Sequence, residues 1–368
     1  MTGRLTFLDG LRGWGAIVVL FYHVLCQAFP AHASISYPGQ LFIPLNGPLA
    51  VSVFFIVSGF SLSIGFLESR DARGLVKIAA GRYLRLAIPI FATCLIVHLV
   101  MIASLVAPMA DRLPPTNAAL NFESTWGGMT RFALWDVFFN YDLGRTYAGP
   151  LWTMRLELMG SAAVFAAIVV LARPTLWRPA ALFAAGLAIM VLSPTRDEGM
   201  IGLFPIGAAL ADCFWRGWLE RVPLLIAAAL LALGCVGPFA GVRPYETSAN
   251  LVAVALTAGC LVAPAVRAAL SGPFAAALGR LSFPLYLIHG PVIVLIGEPL
   301  MRHFGRDTVS KVGIDVAVIV LSIGAGVLFE PANRAAVMAA RWFGSVTASV
   351  LMSGAPQLGQ RRGPPKRA

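Results

Sequence analysis

Residues 48–66 read PLAVSVFFIVSGFSLSIGF, nineteen residues without one charged side chain. About 20 mostly apolar residues in a helix cross a hydrocarbon layer about 30 Å thick. In a soluble domain such a stretch would need an equally apolar partner on every side. Here the rest of the chain has the same character. Of 368 residues, 58% are hydrophobic and only 12% charged, with a mean hydropathy of +0.79. Soluble domains carry roughly 25% charged residues. Half that share leaves too little polar surface to cover a water-soluble body, so the membrane reading comes before any motif.

Working outward from Pro48–Phe66, nine further apolar stretches have the length or periodicity of spanning helices. They are Trp14–Phe29, Leu86–Ala107, Pro150–Leu171, Ala180–Ser193, Met200–Phe214, Val222–Gly241, Leu251–Val266, Phe283–Ile296 and Val312–Phe329. The sequence therefore predicts an all-α, polytopic membrane bundle of about ten transmembrane helices. The first stretch resembles a signal peptide, with Arg4 and Arg12 ahead of it and Ala31-His32-Ala33 after it. Asp9 in the basic region and His23 in the apolar run argue against cleavage, so it is kept as the first span.

The net charge of +11 would suggest nucleic acid in a soluble protein. In a membrane protein, basic residues collect in cytoplasmic loops. With the N-terminus inside, 19 of the 28 lysines and arginines fall on inner segments. The expectation is a multi-pass protein of a bacterial inner membrane with both termini cytoplasmic and no nucleic-acid partner. Residues 1–331 form the transmembrane domain, and 332–368 a basic cytoplasmic tail, disordered at its end. Cys26, Cys94, Cys213, Cys235 and Cys260 form no CxxC pair. They read as small core residues, and no metal site is expected.

An ionisable residue inside a membrane is costly and marks function by default. Arg12 and His23 are eleven residues apart, so they share a helix face at about 16 Å separation. A cation at the inner mouth suits an anionic cosubstrate, and an imidazole deeper in suits proton transfer. Their bland readings are a topology anchor and a bundle hydrogen bond. Glu157 enters from the opposite side toward the same zone, with His23 and Arg155 as possible partners. Beside His23 it would orient or charge the imidazole. Arg82 and Arg85 sit one turn apart before Pro89, where they suit phosphate or the positive-inside bias. Ser58 and Gly59 read first as small packing residues and second, for Ser58, as a nucleophile. His289 follows Tyr286 by about one turn, and His98 reads as a bundle contact. The connection 108–149 carries Trp126, Trp135, Phe138, Phe139 and Tyr141 among Asp136, Asn140 and Asp142. It fits either a sugar platform or a segment lying in the interface.

Several of these segments together resemble one family. Phe7-Leu8-Asp9-Gly10-Leu11-Arg12-Gly13 followed by His23 is similar to the Arg-x10-His opening of the membrane acyltransferase 3 family. Phe54–Phe60, Arg82–Arg85 before Pro89, Leu151–Glu157 and Leu281–His289 resemble its later motifs in the same order. Glu330-Pro331 is similar to its closing Glu-x-Pro element with one residue missing. Thr153 stands where the family usually has Ser, and Phe283 where it has Tyr.

The resemblance implies an acyltransferase that moves an acyl group, usually acetyl, from cytoplasmic acyl-CoA to a hydroxyl of a cell-envelope or secreted glycan or glycolipid. Acetyl-CoA would be a cosubstrate, with no bound cofactor. The residues then take roles. His23 is the base or transient acyl carrier, and Glu157 its orienting partner. Arg12, Arg82 and Arg85 bind the donor. Ser58, Trp152, Thr153, Arg155, Tyr286 and His289 make substrate or supporting contacts. A transporter or flippase would also use intramembrane charges, but it often shows two related halves, and no such repeat is visible.

Overall fold

The apolar stretch Pro48–Phe66 lies within a helix of 23 residues, Gly47–Ser69. Asn46 caps its start by accepting from the Leu49 amide at 2.9 Å, and Pro48 sits in the first turn, where its missing N–H costs nothing. The helix ends at Arg70 in the left-handed region, φ +55°. The structure is a computed structural model and describes residues 5–29, 41–113, 116 and 118–353. Among these, every regular element is helical.

We number the main helices α1 (Thr6–Phe21), α2 (Gly47–Ser69), α3 (Ala72–Ile102), α4 (Thr153–Val170), α5 (Arg178–Leu192), α6 (Leu203–Trp215), α7 (Leu224–Val236), α8 (Thr247–Val262), α9 (Pro264–Leu270), α10 (Pro273–Val292), α11 (Glu298–Phe304) and α12 (Thr308–Leu351). Helix α1 continues as a π-helical turn over Tyr22–Ala28, α4 is preceded by a 3-10 turn over Gly149–Trp152, and a second π turn, Ile293–Gly297, joins α10 to α11.

Among the described residues, six helices are long and apolar enough to cross a membrane: Thr6–Ala28, Gly47–Ser69, Ala72–Ile102, Gly149–Val170, Pro273–Phe304 and Thr308–Leu351. The count rises to seven if α8 and α9, bent by 91° at their junction, form one span. The bend follows from Pro264, which forces Ala263 into extended backbone. The chain is thus a multi-pass membrane protein. The other three of the ten expected stretches form shorter helices, α5, α6 and α7. Their limits are set by local chemistry: Ser193-Pro194 ends α5, the charged turn Arg196–Gly199 precedes α6, and Gly237-Pro238 ends α7.

Two close crossings position the site. Helices α2 and α6 meet backbone to backbone: a methyl at Gly59 would lie 2.0 Å from the Phe204 carbonyl oxygen, and one at Gly207 2.0 Å from that of Ile56. Small residues allow such approach where lipid gives no hydrophobic drive. Helices α1 and α10 run parallel in the same way. Gly13 abuts Leu278 and Gly279, and ten residues further along each helix His23 meets His289.

Helix α12 has 44 residues, about 66 Å at 1.5 Å per residue. It passes through Pro331 without stopping and packs along α3, with Gly344 against the Lys77 carbonyl. The boundary expected after residue 331 therefore falls inside a helix, whose register continues because its contacts with α3 do. Residues 354–368, the basic end of the tail, and the Ala31-His32-Ala33 motif lie outside the described residues.

Candidate active site

Two polar clusters lie inside the bundle at different levels of α1. At the Arg12 level, four helices converge. Arg12 donates from Nη2 to Ser58 Oγ at 3.0 Å, and Ser58 in turn donates to Glu157 Oε1 at 2.6 Å. Arg82 pairs with the same carboxylate oxygen through Nη2, and its Nε donates to Ser161 Oγ at 2.8 Å. The Ser161 hydroxyl donates back to the Glu157 carbonyl, 2.6 Å away. Ser58 and Ser161 are buried, and the Arg82 and Glu157 side chains are only 14% and 13% exposed. Charges this enclosed persist when paired and hydrogen-bonded, as these are.

Arg85, one turn beyond Arg82, is arranged differently. Its guanidinium lies over the Phe283 ring at 5.0 Å, and its Nη1 is buried without a hydrogen-bond partner among the described residues. It lies within electrostatic reach of Arg82, Arg12 and Glu157. Three guanidinium groups and the Glu157 carboxylate thus gather at this level of α1.

The second cluster is the histidine pair. His289 Nδ1 faces the Leu285 carbonyl at 2.9 Å, so it carries the proton, and Nε2 of the neutral ring is an acceptor. His23 Nδ1 faces both the Val19 carbonyl, at 2.9 Å, and His289 Nε2, at 3.2 Å. Both are acceptors, so His23 also carries its proton on Nδ1. Its Nε2 then presents a lone pair. The tautomers are assigned from the partners, and they agree with each other. Around the pair stand aromatic rings: Tyr22 at 5.1 Å from His23, and Tyr286 at 6.0 Å from His289. The Tyr286 hydroxyl meets Thr153 Oγ1 at 2.8 Å, so the threonine supplies the hydroxyl that the family's serine would.

The contact expected between Glu157 and His23 is absent among the described residues. Glu157 bonds at the Arg12 end of α1, three turns from His23, and the His23 imidazole meets His289 instead. Arg155 is no partner of Glu157 either. Two residues apart on a helix means nearly opposite faces, and Arg155 Nη2 bonds Glu198 Oε1 at 2.9 Å. Ser58, read first as a packing residue, is the bridge of the lower cluster; the packing role falls to Gly59 alone. His98 makes its bundle contact with Ser124 at 2.7 Å. In the segment 108–149, Phe138 is fully buried, whereas Trp126, Trp135 and Phe139 are more than half exposed on the outside of the bundle.

The profile of the family described as an acyltransferase domain matches residues 5–330, nearly the whole chain. The chain belongs to the acyltransferase 3 family. It is also similar to the O-acetyltransferase PaAT-1 of Phomopsis amygdali, 24% identical over 92% of this chain and 84% of the relative. A second relative, the acyltransferase MdmB of Streptomyces mycarofaciens, is 27% identical over 89% of this chain and 90% of its own. No solved structure matches. Each relative is covered over most of its length.

For a membrane O-acyltransferase, the geometry separates a cationic end from an imidazole end along α1. Three contributors escaped the sequence reading. Ser161 lies one turn from Glu157 on its face, and that i, i+4 spacing was the available signal. Asn250, a buried amide in an apolar helix, carried the general signal of an intramembrane polar group. It accepts from Ser52 Oγ at 2.8 Å and donates to the Tyr245 carbonyl at 3.3 Å. Tyr245, the third, has φ +64°, a conformation that costs an L-residue with a bulky side chain roughly 1–3 kcal/mol. Its ring stands edge-on to Trp152 at 5.2 Å. Burial, and then the nearby phenols of Tyr22 and Tyr286, push the Tyr245 phenol up.

Proposed function

We propose that this acyltransferase moves an acyl group, most simply acetyl, from cytoplasmic acyl-CoA to a hydroxyl of a glycan or glycolipid beyond the opposite face of a bacterial inner membrane. The observation that carries the reading is the His23–His289 pair, which fixes His23 with its Nε2 lone pair unclaimed. In the direct course, Nε2 takes the proton of the acceptor hydroxyl as its oxygen attacks the thioester carbon. The C–S bond then breaks and the CoA thiolate leaves. In the carrier course, Nε2 itself attacks the thioester carbon, the C–S bond breaks and the CoA thiolate leaves; the acceptor oxygen then attacks the acyl carbon, the C–N bond breaks, and the hydroxyl proton passes to the freed Nε2. Both courses use one atom. His289 acts through His23 and is a positioning residue.

Arg85, with its unpartnered buried nitrogen, is the strongest donor contact; a phosphate of CoA would supply the missing acceptor. Arg12 and Arg82 add positive potential, and Glu157 holds their side chains in place. The lysine and arginine distribution supports a cytoplasmic position for this cluster, with both termini inside.

Purified protein in lipid nanodiscs, given labelled acetyl-CoA and a glycan acceptor, tests the reading. Wild type should release CoA and acetylate the acceptor, and His23→Ala should do neither. Acid-stabilised trapping of label on His23 would select the carrier course. A His23→Ala protein that folds and keeps full transferase activity would overturn both.

A further inference from the structure

Tyr245 borders two clefts at the end of the bundle where α2 begins. The wider cleft, of about 390 Å³, is walled by Ser193, Thr195, Thr247, Ser248 and Asn250, with Tyr245 at its side. The narrower one runs over Asn46, Pro48 and Ser52 to the same tyrosine. A volume of this order is within the range of small-molecule sites.

The wall chemistry narrows the class of ligand. Its uncharged polar groups are four hydroxyls and a carboxamide; Ser193 donates to the Ile189 carbonyl, Thr195 accepts from the Glu198 amide and Asn250 is held by Ser52 and Tyr245, which leaves the Thr247 and Ser248 hydroxyls without a side-chain hydrogen bond among the described residues. The two charged residues of the wall, Arg196 and Glu246, pair with each other at 3.0 Å, and Glu198 in the neighbouring acidic turn is engaged by Arg155. The cleft thus lacks the cationic excess found at the Arg12 end. Hydroxyl-rich walls beside an aromatic ring fit a neutral ring that bears hydroxyls on its rim and C–H groups on its face.

The backbone at Tyr245 supports the same conclusion. Its left-handed conformation suits glycine or asparagine far better than tyrosine. It is held there by Asn250, which grips its carbonyl, and by Ser52, which grips Asn250; both are buried. A strained position locked by two buried partners holds its side chain in one place. That place adjoins the reactive pair through side chains in contact. Tyr245 meets Trp152, the neighbouring Thr153 bonds Tyr286, and the Tyr286 ring faces His289, the partner of His23.

We propose that Tyr245 determines acceptor specificity: its ring, backed by Trp152, carries the apolar face of a neutral glycosyl unit that enters by the Ser193–Asn250 cleft and turns a hydroxyl toward His23. The proposal rests on the reading that the acceptor is a hydroxyl compound. It moves acceptor recognition away from Trp126 and Trp135, which face outward.

The test uses full-length protein in nanodiscs, with methyl hexopyranosides of gluco, galacto and manno configuration as probes. Tyr245→Asn removes the ring and tolerates the left-handed backbone, so the fold is kept; thermal unfolding checks that. Binding is measured by saturation-transfer NMR without donor, and transfer with acetyl-CoA. Tyr245→Asn should raise the acceptor KM and weaken glycoside binding by about tenfold, with the donor KM changed by less than about twofold. Trp135→Ala should change neither. Wild type that binds a glycoside through Tyr245 but never transfers acetyl would refute the proposed function and leave the cleft assignment standing. Wild type that acetylates an acceptor, with Tyr245→Asn unaltered in acceptor KM, would refute the cleft assignment and leave the function standing. Glycoside binding lost equally in Trp135→Ala and Tyr245→Asn would also refute it.

Discussion

Replacing Glu157 with glutamine separates a charged pair from a neutral hydrogen bond at nearly constant shape. Glu157 accepts from Ser58 and Arg82, and both side chains of the ion pair are about seven-eighths buried. Removing one partner of a buried pair typically costs about 3–5 kcal/mol, because the other charge is left uncompensated. Here Arg85 lies within electrostatic reach of the pair, so the loss also removes a carboxylate that offsets its charge. The Gln side-chain oxygen still accepts from Ser58 and Arg82, which returns about 1 kcal/mol. The expected net loss is about 2–4 kcal/mol, or a fall in Tm of about 5–15 °C. Tryptophan fluorescence during heating in detergent reads it. The double variant Glu157→Gln/Arg82→Met should recover part of the loss, since it removes the stranded cation, giving a coupling of about 1–2 kcal/mol. A Glu157→Gln protein that melts within about 1 °C of wild type would refute the reasoning, because it would mean the carboxyl is already neutral in the native state.

Three further outcomes follow from single contacts. His289→Leu takes away one acceptor of His23 Nδ1–H and should lower kcat by about 10–100-fold with the donor KM unchanged, whereas His289→Gln, which keeps an acceptor oxygen, should retain most activity in steady-state assays. Arg85→Met should raise the donor KM by about tenfold while leaving Tm equal or higher, since it removes a buried nitrogen without a partner; acetyl-CoA titration and melting curves check the two halves. Gly207→Leu places a side chain where only 2.0 Å separates a methyl from the Ile56 carbonyl and should abolish the monodisperse peak in gel filtration, whereas Gly65→Ala, with open space around it, should not.

The membrane class was legible because it depends on composition, and composition survives any error of boundary. Span length was less so. Apolar character continues across Pro194, Pro238 and Pro264, but the helices do not, since proline and the charge cluster Arg196–Glu198 act locally on the backbone. At the site, residue types were legible and partners were not. Arg12, His23, Glu157 and His289 each stood out as polar groups in apolar runs. Which of them touch depends on helix crossings, and those are set by glycines such as Gly13 and Gly279, whose pairing one chain's pattern does not reveal. The Glu157–His23 contact failed for this reason. Depth along each helix was estimated from its own end, and an error of a few residues in either end moves a side chain by about a full turn.

The eleven-residue spacing from Arg12 to His23 gains meaning once α10 is in view. A spacing near three whole turns keeps both side chains on the face of α1 that looks into the bundle. Arg12 then reaches Ser58 on α2, while His23 reaches His289 on α10. The π turn that begins at Tyr22 widens the helix where the imidazole must turn to its partner, and such turns often sit at functional sites. One helix therefore serves both ends of the proposed reaction. Its lower part belongs to a cationic cluster suited to the phosphates of the donor, and its upper part to a neutral imidazole suited to the acyl carbon. The roughly 16 Å between them is a fixed length of helix. In the proposed reaction, a donor anchored by its phosphates must span that length to bring its thioester to His23, which makes the distance itself a selector for a donor with a long arm between charge and acyl group.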